Sequence, residues 1–306
     1  MGKKPYLIIS IVALVILVAV GLGIHSIITI NKKQNGSIII GTKNFTEQII
    51  LGEIMSQLIE NRMNVPVKRK FNLGGTFICF TALKNEKLDC YAEYTGTGLV
   101  AILKEEVITE PDSLYRKVKE EFKNRWNLLW MPPFGFNNTY TLAMKKSLAE
   151  SLSISTISDL KKKSDILKAG FNHEFMGRPD GYPGLVQHYN FKFEKSPREM
   201  DSGLMYRAID DGEVDVICSF KTDGKIKAYN LVTLRDDKNF FPPYFAAPLV
   251  RNTTVQEYPQ LRSVLTSLKG TISDKEMSEL NFRVDEKNED PADVAHSFLL
   301  QKDLID

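Results

Sequence analysis

From Ser37 onward the apolar positions switch repeatedly between two spacings. Ser37-Ile38-Ile39-Ile40-Gly41-Thr42 is a short unbroken apolar run, as a buried strand requires. Thr46 is placed to cap the next segment, with Glu47 in its first turn. Ile50, Ile54 and Leu58, and one step along Leu51, Met55 and Ile59, recur at helical spacing. Val65–Phe71 reads as a second strand, Gly74-Gly75-Thr76 as a turn into a helix through Phe80 and Leu83, and Leu88–Tyr91 as a third strand. The alternation returns after Tyr140, with a helix over Ser202–Asp211 and a strand over Val214–Cys218. The end is helical, over Pro259–Leu268, Lys275–Leu280 and Pro291–Leu300. Strands alternating with helices predict an α/β protein with a largely parallel sheet, whose ligand sites lie beyond the strand ends.

Two proline-rich points interrupt this pattern, Pro132-Pro133-Phe134-Gly135 and Phe240-Phe241-Pro242-Pro243-Tyr244. They read as crossovers between two lobes. The predicted division is residues 37–137 with 243–306 as the first lobe and 138–242 as the second, with a ligand cleft between them. Residues 1–36 fall outside this division. Leu7–Ile24 carries no charge and is flanked by lysines, which fits a signal peptide or a membrane-anchoring helix. Either form puts the remainder outside the cytoplasm, and the lack of a cysteine near the end of the run excludes a lipoprotein anchor.

Charge changes the picture only by exclusion. The chain carries 40 Lys and Arg against 38 Asp and Glu, but four of the lysines precede Ser37. The body is faintly acidic and offers no basic face for nucleic acid. Cys79, Cys90 and Cys218 do not make a disulfide framework and read as small buried hydrophobes. The four histidines form no metal-binding pattern, so neither a metal nor another cofactor is expected.

Seven fragments taken in order carry a resemblance. They are Gly41–Gln48 (GTKNFTEQ), Asn72–Thr76 (NLGGT), Tyr91–Gly98 (YAEYTGTG), Gly135–Tyr140 (GFNNTY), Glu174–Gly181 (EFMGRPDG), Thr222–Ile226 (TDGKI), and Asp236–Lys238 leading into Phe241–Tyr244. Together they resemble the substrate-binding proteins of osmoprotectant ABC importers, which capture glycine betaine, choline and related quaternary amines. The resemblance implies a two-lobed clamp of the type II periplasmic-binding-protein fold with two hinge crossovers. It also implies partnership with an ABC permease and, through it, with ATPase subunits.

A trimethylammonium group has no N–H to donate, so aromatic faces suit it better than carboxylates alone. The resemblance puts Tyr94, Tyr140, Phe220 and Tyr244 at the aromatic positions, and Lys43, Thr97 and Arg178 where a ligand carboxylate is met. Phe220 stands where tyrosine is more usual, keeping the ring and losing the hydroxyl. Asn138 replaces an acidic residue of some members and is expected to turn its amide oxygen toward the cage. Asp180 and Asp223 each precede a glycine and read as plain turn residues.

The rival reading is a membrane-tethered enzyme or sensor module acting on small amines. The chain contains no GxSxG elbow and no phosphate-cradling glycine loop. His173-Glu174 would be an acid–base pair only if both side chains met one substrate, which neighbours on an extended chain do not do.

Overall fold

The computed structural model describes residues 36–306, so the apolar run Leu7–Ile24 lies outside the described residues. The strands are β1 (Ile38–Gly41), β2 (Val67–Lys70), β3 (Cys90–Tyr94), β4 (Leu128–Trp130), β5 (Tyr140–Lys145), β6 (Ala169–Phe171), β7 (Arg198–Glu199), β8 (Val216–Phe220), β9 (Leu231–Leu234) and β10 (Ala246–Arg251). They form two sheets, ordered β2-β1-β3-β10-β4 and β7-β6-β8-β5-β9. Each sheet, with the helices covering it, is one α/β unit.

The sheets are mixed, where the strand–helix alternation predicts a largely parallel one. β10 runs antiparallel to β3 and β4, and β5 runs antiparallel to β8 and β9. Both reversed strands are entered directly from the other unit. No helical crossover precedes them to carry the chain back to the far end of the same sheet. The two passages between units run side by side, through the bridge Asn137–Phe245 and the hydrogen bond from Asn138 N to Tyr244 O at 3.0 Å.

The helix Thr46–Met63 shows why its two apolar ladders are offset. Both are buried, because the first sheet packs on one side and the C-terminal helices Gln260–Thr266, Asp274–Asp285 and Pro291–Gln301 on the other. Thr46 does not cap this helix. The N-cap position is Phe45, and the Thr46 hydroxyl donates instead to Asp285 Oδ1 at 2.5 Å. β3 is also displaced from the Leu88–Tyr91 expectation, starting at Cys90 and running to Tyr94 because β10 pairs with it along its whole length. All three cysteines are buried.

Candidate ligand-binding site

Strand register gathers the aromatic residues. In the second sheet Tyr140, the first residue of β5, is the partner of Phe220, the last residue of β8. In the first sheet Ala246, the first residue of β10, is the partner of Tyr94, the last residue of β3, and Tyr244 lies two residues before it. Reversed strands begin where their parallel neighbours end, so four rings from distant parts of the chain emerge at one edge.

These rings line a cavity of about 500 Å³ between the units, within the range of roughly 300–1,000 Å³ usual for small-molecule sites. Tyr140 stands 4.7 Å from Phe220 and 5.7 Å, edge-on, from Tyr244 between ring centroids. Phe45 completes the row. It stacks 6.3 Å from Tyr94 and 6.1 Å from Phe220, bridging the two sheets. Tyr94, Tyr140 and Tyr244 are buried and Phe220 half-buried. Burial pushes the three phenols above their ordinary pKa, so they are neutral rings at physiological pH.

Arg178, Lys43, Thr97 and Asn138 line the same cavity, so all eight residues singled out in the sequence are brought together. The polar groups of Arg178, Lys43 and Asn138 are nonetheless already engaged. Arg178 forms a bidentate pair with Asp180, Nε to Oδ1 at 2.8 Å and Nη2 to Oδ2 at 2.6 Å, and its guanidinium lies 5.8 Å from the Tyr140 ring centroid. Asp180 is fully buried and also accepts the Tyr244 hydroxyl, so it is more than the turn residue its sequence context suggests. Lys43 Nζ donates to buried Glu93 at 2.6 Å. Asn138 does not turn its amide oxygen to the rings. That oxygen lies 2.7 Å from Thr222 Oγ1, while the amide nitrogen donates to Glu47 at 2.8 Å.

Several lining residues escaped the sequence reading. Phe45 and Glu47 lie inside the Gly41–Gln48 fragment, but only Lys43 and the helix start were read there. Asp223, read as a turn, lines the cavity and binds the Tyr206 hydroxyl and the Phe220 N–H; burial pushes its pKa up to about 6. Glu174 also lines it, opposite Gly75, where an added Cβ would lie 2.6 Å from Glu174 Oε1. His173-Glu174 opens the helix His173–Gly177 instead of lying on an extended chain, and His173 pairs with Glu199 at the surface. Glu47, Glu174, Asp201, Asp223 and Asp285 give the lining more carboxyl groups than cations, two of the cations being already paired. Rings with surplus acidity suit a cation.

Comparison with known proteins decides the family. Residues 36–301 match the model described as the substrate-binding domain of ABC-type glycine betaine transport systems. The chain belongs to this family. It is 36% identical over 269 residues to the carnitine transport binding protein OpuCC of Listeria monocytogenes, covering 87% of each chain. It is 37% identical over 270 residues to the ergothioneine transport permease/ergothioneine binding protein EgtU of Helicobacter pylori, covering 88% of this chain and 48% of that one. A crystal structure of a glycine betaine/carnitine/choline ABC transporter protein superposes with a TM-score of 0.76 at 34% identity, covering 88% of this chain and all of the other. The fold is therefore that of two-sheet periplasmic-binding proteins, and the chain is the substrate-binding component of an ABC transport system. Members of this family bind and deliver solutes outside the cytoplasm; they are not classed as enzymes.

Proposed function

We propose that this chain captures a quaternary ammonium solute, such as glycine betaine, choline, carnitine or proline betaine, one molecule per chain, and delivers it unchanged to a permease. The observation that carries this reading is the row of rings Tyr94, Phe45, Phe220, Tyr140 and Tyr244 around a cavity with excess carboxyl groups. Each favourable ring face contributes roughly 0.5–2 kcal/mol toward a desolvated cation. Thr97, Arg178 and Lys43 are the proposed contacts for a ligand carboxylate, through whichever donors their buried partners leave free.

Residues 37–137 with 243–306 and residues 138–242 are the two proposed lobes, moving about the paired passages near Asn137 and Phe245. The permease is proposed as a partner with its ATPase subunits, and the relative whose name joins permease and binding protein supports that pairing. Residues 1–36 are the proposed export signal or membrane anchor. Isothermal titration with the four named solutes tests the reading, together with assay of the recovered solute. Saturable binding at one site without turnover is expected. No heat with any of them, or a chemically altered solute, contradicts it.

A further inference from the structure

Glu47 is buried where the two units meet. Its Oε1 accepts the Tyr94 hydroxyl at 2.7 Å and lies 2.8 Å from the Asn138 amide nitrogen. Its Oε2 accepts from Asn281 Nδ2 at 3.2 Å and lies 2.6 Å from Thr222 Oγ1. Thr222 Oγ1 is in turn 2.7 Å from Asn138 Oδ1. A hydroxyl has one hydrogen, yet Thr222 faces two oxygens that are both pure acceptors while Glu47 is ionised. Turning the Asn138 amide over does not remove the conflict. Its nitrogen would then donate to Thr222, but its oxygen would face Glu47 Oε1 with no hydrogen between them. In either orientation this ring of contacts is one hydrogen short. A carboxylic acid supplies it: Glu47 donates to Thr222, and Thr222 donates to Asn138.

We propose that Glu47 is a positioning residue that carries a proton in the assembled site, and that this proton joins Thr222 and Asn138 of one unit to Glu47 and Tyr94 of the other. The surroundings agree. Burial pushes the Glu47 pKa up to about 7, outweighing the hydrogen bonds from Thr222, Tyr94 and Asn281, and nearby Asp223 pushes the same way. Asp285 approaches on the helix Asp274–Asp285 and binds Thr46, the neighbour of Glu47. The nearby cations Lys43 and Arg178 are committed to Glu93 and Asp180, and among the described residues none pairs with Glu47. Raising the pH removes the proton and leaves Thr222 with one hydrogen between two acceptors, so the junction loosens at Thr222 and Asn138.

Two measurements test this on the full chain, and only the second rests on the proposed function. The first is the infrared band of protonated carboxylic acids, followed with pH in the ligand-free protein. Near neutral pH the expected band is lost in Glu47→Gln and kept in Asp223→Asn, which separates the two buried acids. No Glu47-dependent band at about pH 6 overturns the proposal. The second is glycine betaine affinity against pH. The wild type is expected to weaken severalfold to about tenfold per unit above neutrality, and Glu47→Gln, whose amide N–H replaces the acid O–H, to stay flat. An equal slope in both proteins overturns the proposal. Should Glu47→Gln fail to fold, calorimetry of the wild type in buffers of differing ionisation enthalpy replaces it. Net proton uptake on binding above neutrality supports the proposal, and none overturns it.

Discussion

The ring of Tyr140 stands 4.7 Å from that of Phe220, with 31° between their planes, because the two residues are register partners at the open ends of β5 and β8. Phe220 also stacks on Phe45, which in turn stacks on Tyr94. Phe220 is thus the ring through which the second sheet's aromatic group reaches the first sheet's.

Substituting Phe220→Leu keeps much of the apolar volume and removes the ring quadrupole. Loss of about 1–2 kcal/mol, roughly tenfold in affinity for a quaternary ammonium ligand, is expected. Phe220→Tyr retains the face and is expected to bind within about threefold of the wild type. Titration of both variants beside their ligand-free melting temperatures checks this. A lower melting temperature with unchanged affinity would make Phe220 a packing residue.

Arg178→Ala leaves fully buried Asp180 with the Tyr244 hydroxyl as its remaining side-chain donor. An uncompensated buried carboxylate costs about 3–5 kcal/mol of stability. The expected result is a marked fall in melting temperature and weaker binding of choline as well as betaine, because Tyr244 is held through the same carboxylate. In a double-mutant cycle with Asp180→Ala, the pair should cost clearly less than the sum of the two single changes. Additive losses would show that the pair is not coupled.

Gly96 lies between Tyr94 and Thr97, and a Cβ there would come within 2.8 Å of the Tyr244 ring and 2.9 Å of Pro243 O. Gly96→Ala therefore pushes Tyr244 out of place, with about 1–3 kcal/mol of overpacking. Tenfold or greater loss of binding together with a lower melting temperature is expected from titration and thermal unfolding.

Stability should fall with rising pH across the range where Glu47 titrates. Its folded-state pKa is raised by burial to about 7 from 4.5, so between those values the folded protein holds more protons than the unfolded chain. The stabilisation is complete below the unfolded value and lost as pH rises through the folded one, amounting to about 3 kcal/mol. Asp223, raised to about 6 from 3.8, acts in the same direction over a lower window. Denaturant unfolding at successive pH values measures this, and Glu47→Gln should flatten the upper part of the curve.

Much of the fold was legible because apolar spacing marks its elements. The ladders Ile50/Ile54/Leu58 and Leu51/Met55/Ile59 are both buried in one helix, as their offset required of a helix covered on two sides. Local spacing does not reveal a partner strand some 80 to 150 residues away. The extension of β3 to Tyr94 and the reversal of β5 and β10 depend on such pairings. At the site, the eight residues chosen through family resemblance line one cavity, but their bonding partners were not readable. Asp180 looked like a turn residue until its contacts with Arg178 and Tyr244 were seen, and Glu47 looked like a helix-start acid until Thr222, Asn138 and Asn281 closed around it. These are contacts between segments far apart in sequence, and each single residue has an ordinary local explanation.

The central claim is that the rings recognise positive charge and not merely bulk. It is tested most directly by titrating the protein with choline and with its neutral isostere, in which carbon replaces the ammonium nitrogen. Several ring faces at roughly 0.5–2 kcal/mol each predict that choline binds at least about a hundredfold more tightly. Equal affinity for the two, with both seated at one site per chain, would contradict the account.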